Sequence, residues 1–274
     1  MDLLLLLKAA IMGIVEGITE FLPVSSTGHL ILASEVMNFW TKEKSDVFVI
    51  AIQMGAIAAV IYEYWSRLWG AATGLFTGEE KGRHLGLGLI MASIPIVLIG
   101  LTFGQTVKEL LFNDVAVAIG LIVGGLIIIW IEKHPPKVNA QEVENISYKE
   151  AIWIGLIQVL SLIPGTSRSG ATIIGAMFLG VSRKAATEFS FFLGIPVIIG
   201  AGLLDLYQSY DVFKTNEDWA ILATGIIVSF VSALILIRAL VAYVAKRDFM
   251  IFAWYRIASG LLILLFAFTG WKLW

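Results

Sequence analysis

Six apolar segments, near residues 46–65, 85–104, 114–132, 186–206, 218–242 and 250–271, are each long enough to cross a bilayer as a helix. About 30 Å of hydrocarbon takes roughly 20 helical residues, and in lipid only a helix or a closed barrel satisfies its own backbone. The ten-residue alternation of barrel strands is absent, so the chain reads as an all-α integral membrane protein with six transmembrane helices. Composition agrees: 58% of the 274 residues are hydrophobic and 15% charged, where soluble domains carry about a quarter charged. Trp65, Trp130, Trp219 and Trp271 fall near segment ends, as an interfacial aromatic belt requires. A net charge of -2 gives no reason to expect a nucleic-acid partner, and zero cysteines exclude disulfides and thiolate chemistry. The apolar N-terminus resembles the core of a signal peptide but lacks a basic leader, and is read as mature sequence.

Two further apolar stretches do not fit a simple crossing. One, 3–39, is broken by Pro23 and the Ser25-Ser26-Thr27-Gly28 loop; the other, 149–181, is broken by Pro164-Gly-Thr-Ser-Arg-Ser-Gly170. Neither half of either stretch reaches the roughly 20 residues a crossing needs, so both read as re-entrant helix–loop–helix pairs. A shift of about 141 residues places Lys8 on Lys149, Pro23 on Pro164, Ser26 on Ser167 and Phe48 on Phe189. Each copy is then one re-entrant pair plus three crossings, and an odd number of crossings inverts the second copy. The expected organisation is a single membrane domain, 1–274, with repeat one at 1–132, a linker at 133–148 and repeat two at 149–274. With both termini on one side, that side holds Lys8, Lys42, Lys44, Lys108, Lys214 and Lys272. The other holds Arg67, Lys81, Arg83, Lys133, Lys137, Lys149, Arg183, Lys184, Lys246 and Arg247. The richer side is cytoplasmic by the positive-inside rule, so the termini and the mouth of the first pair face outward.

The breaks carry the chemistry. Glu16 and Glu20 are four apart, which puts both carboxylates on one helix face, about 6 Å apart at Cβ. Two such charges at membrane depth require that one be protonated or that a cation bridge them, and hard oxygen ligands suit Mg²⁺ or Ca²⁺ shared with substrate phosphates. The plainer readings are a wet vestibule or a proton relay. Ser25, Ser26 and Thr27 either cap the helix that follows or offer a nucleophile, with His29 near enough in sequence to act as base or acid. Of three histidines, His84 and His134 fall in connections where a solvated ring is expected. In the second break Arg168 stands among Thr166, Ser167, Ser169 and Thr172, a set that suits phosphate. Otherwise Arg168 neutralises Glu16 or Glu20 across the repeat interface. Arg238 is expected to snorkel to an interface, and Arg256 to meet a cavity carboxylate or a phosphate. Gly124-Gly125, Gly194 and Gly200-Ala-Gly202 read as close helix packing.

Glu16-x-x-x-Glu20, Phe21-Leu-Pro-Val-Ser-Ser-Thr-Gly-His29 and Pro164-Gly-Thr-Ser-Arg-Ser-Gly-Ala-Thr172 resemble the bacterial undecaprenyl pyrophosphate phosphatases of the bacitracin-resistance (BacA) type. The resemblance spans essentially the whole chain. It implies dephosphorylation of the C55-isoprenyl pyrophosphate carrier lipid of peptidoglycan synthesis to its monophosphate, a divalent-cation requirement, and a six-crossing fold with two re-entrant pairs. It also implies residence in the bacterial inner membrane, with the undecaprenyl pyrophosphate lipid and the bilayer as partners and room for a homodimer. Mapped onto this chain, Arg168 and loop amides hold the pyrophosphate, with Ser25, Thr27, Thr166, Ser167, Ser169 and Thr172 around it. Glu16 and Glu20 hold the cation, Ser26 is the favoured nucleophile and His29 moves the proton. Water activated by Glu20 or His29, or His29 as nucleophile, fits the same residues. An ion-coupled transporter or flippase of a polyprenyl phosphate is the rival reading, since broken helices and paired carboxylates also suit transport.

Overall fold

The structure, a computed structural model, describes residues 2–111 and 113–268. Trp271 and Lys272 lie outside the described residues. The helices are α1 (Leu3–Thr19), α2 (Ser26–Met37), α3 (Lys42–Glu63), α4 (Trp65–Thr77), α5 (Glu80–Leu111), α6 (Asp114–Lys133), α7 (Tyr148–Gln158), α8 (Arg168–Phe178), α9 (Arg183–Gln208), α10 (Asn216–Val244) and α11 (Met250–Phe268). No strand occurs among the described residues. Among the described residues six helices, α3, α5, α6, α9, α10 and α11, are long and apolar enough to cross a membrane, and they coincide with the six expected segments. The chain is an all-helical, multi-pass membrane protein.

Several helices outrun their apolar cores because polar caps extend them. α10 begins in a capping box in which Thr215 accepts from the Asp218 N–H and Asp218 accepts from the Thr215 N–H. Asp218 also pairs with Lys44 at 2.6 Å, which fixes the start of α10 against the first turn of α3. α7 opens on a Ser147–Glu150 capping box, so the hydroxyl satisfies a donor that the helix start leaves unpaired. α4 was not apparent in the sequence, because Trp65 reads as the end of one apolar run. It is 13 residues long, too short to cross, and it packs on α5. Trp65, Trp69 and Phe76 stay exposed on it, as aromatic side chains do at a membrane interface.

The shorter helices sit inside this frame. α1 (17 residues) and α2 (12 residues) flank the first break. α7 and α8, 11 residues each, flank the second together with a short 3₁₀ turn at Val159–Leu162. α1 packs on α10, α7 on α5 and α6 on α11, while α3 touches α9 and α10. In a membrane such contacts rest on close packing rather than on a hydrophobic driving force. Ion pairs tie connections to helix ends: Arg67 reaches both Glu144 and Glu188 at 2.8 Å, and Arg183 pairs with Glu132, which also accepts from the Phe249 N–H. His84 is not simply solvated: its Nε2 lies 2.8 Å from the Ile146 carbonyl and its ring stacks on Tyr148. His134 is exposed, as expected. Arg238 is 60% exposed and pairs with Glu63 at 2.7 Å, so the side chain ends on a carboxylate.

Candidate active site

Each break ends a helix and starts another through the same backbone device. After α1, Pro23 removes a donor and biases Leu22 away from helical geometry; after the 3₁₀ turn, Pro164 does the same. The chain then turns at a serine of positive φ, Ser25 (71°) in the first break and Ser167 (70°) in the second. Left-handed backbone at a residue with a Cβ costs about 1 kcal/mol and is retained where the surroundings enforce it. Ser25 and Ser167 are the N-cap residues of α2 and α8, so both turns present the amide-rich start of a helix. Such starts attract anions through unpaired N–H groups and the helix dipole.

The two turns meet in one cavity of about 260 Å³, lined by Glu20, Ser25, Ser26, Thr27 and Gly28 from the first and Pro164, Gly165, Ser167 and Arg168 from the second. Its apolar wall includes Ile96 and Val197, which follow the intrahelical prolines Pro95 of α5 and Pro196 of α9.

Glu20 is the hub. One oxygen accepts from the Ser26 hydroxyl at 2.6 Å and the other from Arg168 Nη2 at 2.8 Å. Arg168 is further held by Nη1 donating to the Ser190 carbonyl at 2.8 Å, while its Nε is buried without a partner among the described residues. Ser26 was expected to face His29. It faces Glu20 instead, while the His29 ring is held by the Ser25 carbonyl and by Tyr255 of α11. The His29 Nδ1 lies 2.8 Å from the Ser25 carbonyl and Nε2 lies 2.5 Å from the Tyr255 hydroxyl. In the neutral ring Nδ1 is therefore the donor and Nε2 accepts from Tyr255, with the two rings stacked.

The remaining residues divide clearly. Ser169 turns inward and donates to the Leu22 carbonyl at 2.8 Å, joining the second turn to the first. Thr172 lies 2.6 Å from the Ser190 hydroxyl, and Thr166 offers its carbonyl, not its hydroxyl, to Arg256. None of these three lines the cavity, whereas Ser25, Ser26, Thr27, Ser167 and Arg168 do. Arg256 meets neither a carboxylate nor the cavity: it is buried, and its bonds run to main-chain carbonyls. The expected pairing fails because α11 presents the side chain behind the turns.

Glu16 is fully buried and neither carboxylate oxygen has a hydrogen-bond partner among the described residues. Two such oxygens one helical turn from Glu20 are donors a hard divalent cation would use. No group of three or more acidic or histidine side chains is arranged for a metal among the described residues. A fit therefore requires water or substrate oxygens to complete the coordination. Ser161 and Gln53 also line the cavity. Ser161 was legible only through the repeat, since the 141-residue shift lays it on Glu20. Gly194 was read as packing, and its neighbour is a cavity-lining side chain: a Cβ there would meet Arg168 Nη1 at 2.7 Å.

The family model described as bacitracin resistance protein BacA matches residues 9–262. Undecaprenyl-diphosphatase 1 of Acinetobacter baylyi is 86% identical over 274 residues, covering 100% of both chains. The undecaprenyl-diphosphatase of a Psychrobacter species is 61% identical, covering 97% of both. Undecaprenyl-diphosphatase 2 of Rhodospirillum rubrum is 50% identical over 100% of this chain and 99% of its own.

Proposed function

The chain belongs to the bacitracin resistance protein BacA family, and from that premise we propose that it is an undecaprenyl-diphosphatase, hydrolysing the C55-isoprenyl pyrophosphate to the monophosphate and inorganic phosphate. The observation that carries this reading is the convergence on Glu20 of a serine hydroxyl from one turn and a guanidinium from the other, inside one cavity. A transporter has no need of a hydroxyl bonded to a carboxylate beside a phosphate-binding cation.

Arg168, with its unpartnered Nε, and the starts of α2 and α8 grip the terminal phosphoryl group. Ser26 Oγ attacks that phosphorus while Glu20 takes its proton. The Oγ–P bond forms, the P–O bond to the lipid monophosphate breaks, and the monophosphate leaves with that bond's electron pair and takes the proton from Glu20, which is a carboxylate again. Water then attacks the phosphoserine with Glu20 again accepting the proton, which returns to Ser26 as inorganic phosphate departs. Phosphoryl transfer is mainly positioning plus charge stabilisation, which a fixed guanidinium and two helix starts supply. His29, bonded to the Ser25 carbonyl, holds the strained N-cap residue rather than the reacting hydroxyl. Glu16 and Glu20 would hold a Mg²⁺ or Ca²⁺, whose contribution is to neutralise charge on the phosphate oxygens.

The architecture we infer is an inverted repeat of two re-entrant pairs and six crossings. It is supported by an element order that matches once the short α4 is set aside, by the twin positive-φ serines, and by the pairing of α1 with α10 and of α7 with α5. Family membership supports residence in the bacterial inner membrane, and the lysine and arginine bias supports a cavity that opens outward. A C55 tail stays in the bilayer, and the apolar cavity wall suits entry from the side.

The test is phosphate release from farnesyl or undecaprenyl pyrophosphate by detergent-purified protein with added Mg²⁺ or Ca²⁺. Release by wild type that is lost in Arg168→Ala is expected. No release by wild type under any divalent condition would overturn the reading.

A further inference from the structure

Arg256 lies on α11 behind both turns, 1% exposed and the largest of the fully buried side chains. A buried guanidinium without a counter-carboxylate is costly, and is kept where its donors are used. Here they are used on main chain. Nη1 donates to the Pro23 carbonyl at 2.9 Å, and Nη2 to the Gly165 and Thr166 carbonyls at 3.0 Å each. Nη2 also reaches the Gly120 carbonyl of α6 at 3.0 Å. One side chain thus holds the first turn, the second turn and a crossing helix together.

We propose that Arg256 is a positioning residue for the phosphatase reaction, setting the separation between Ser26 on one turn and Arg168 on the other. The proposal rests on the phosphatase reading above. In a trans peptide the carbonyl and the following N–H point opposite ways. Anchoring the Thr166 carbonyl on Arg256 therefore turns the Ser167 N–H away from the guanidinium, at the residue that caps α8 and lines the cavity. The seat itself depends on α6, since a Cβ at Gly124 would meet Arg256 Nη2 at 2.1 Å.

The experiment is steady-state hydrolysis of farnesyl pyrophosphate by wild type, Arg256→Lys, Gly124→Ala and the double variant, each checked for folding by thermal unfolding in detergent. Lysine keeps the charge but cannot span several carbonyls from one planar group. Misplacing reacting groups by about 1 Å costs up to about 100-fold. Arg256→Lys is expected to lower kcat about 10- to 100-fold with KM within about threefold, because Arg256 touches no substrate. Gly124→Ala, which keeps the arginine but unseats it, should show the same split, and the double variant should lose no more than the worse single one. Unchanged kcat, a rise in KM at constant kcat, or additive losses would each overturn the proposal. So would failure of both variants to fold, which would make the residue purely structural. An inactive wild type would sink the phosphatase reading and this one with it, whereas normal turnover in the variants sinks this one alone.

Discussion

The two turns have nearly the same backbone and opposite chemistry. Ser25 and Ser167 have φ values of 71° and 70° and each precedes a helix start. Yet Ser167 Oγ accepts from the Gly170 N–H and caps α8, while Ser25 makes no side-chain cap and the next hydroxyl, Ser26, is given to Glu20. The first turn brings a carboxylate and the hydroxyl bonded to it. The second brings the permanent positive charge. The same turn geometry thus presents two helix starts to one cavity, and on the proposed reading single positions divide the labour between them.

The division is most severely tested by removing its two charged partners. Arg168→Ala is expected to lower kcat by about 10³- to 10⁵-fold, the range for a cation that stabilises phosphoryl transfer. Glu20→Gln should fall comparably, and the double variant should be little worse than either alone, since both act through one constellation. Near-additive losses in phosphate-release assays would mean that the turns work separately. Next in size, chelating divalent ions with EDTA should reduce the rate about 100-fold, with recovery on adding Mg²⁺ or Ca²⁺ and a weakened recovery in Glu16→Gln. EDTA-insensitive turnover would remove the cation from Glu16 and Glu20.

Smaller effects discriminate residues that face the cavity from those that support it. Gly194→Ala pushes on the Arg168 guanidinium and is expected to cost about tenfold in kcat, roughly 1.4 kcal/mol. Thr172 bonds to Ser190 away from the cavity. Thr172→Val should therefore leave kcat within about threefold and lower stability by about 1 kcal/mol in a thermal or denaturant transition. A large kcat loss in Thr172→Val with stability intact would return the residue to the phosphate site.

The sequence made the crossings legible because length and hydropathy alone decide whether a helix can span. It made the break positions legible because Pro23 and Pro164 act locally. The pairing of Glu20 with Arg168 was legible beside phosphate binding; in the structure the Nη atoms of Arg168 are used on protein and its Nε has no partner among the described residues. What was not legible was rotation. Four residues after Ser25, His29 sits one helical turn along and meets Tyr255, 226 residues away, and no local pattern announces that contact. The inward turn of Ser169 and Thr172 and the carbonyl-bound Arg256 have the same cause: which face of a short helix meets which neighbour is set by packing at a distance. α4 was hidden for a simpler reason, since interfacial tryptophans look like the end of a crossing.

The central claim is that Ser26 of the first turn is phosphorylated under the control of Arg168 from the second. The direct measurement is rapid acid quenching of protein turning over farnesyl pyrophosphate labelled with ³²P in the terminal phosphoryl group, followed by phosphopeptide mapping. Acid-stable label on the Ser26 peptide in wild type, absent in Ser26→Ala and strongly reduced in Arg168→Ala, is the predicted result. Turnover by wild type with no acid-stable label at Ser26, or base-stable and acid-labile label at His29, would contradict it.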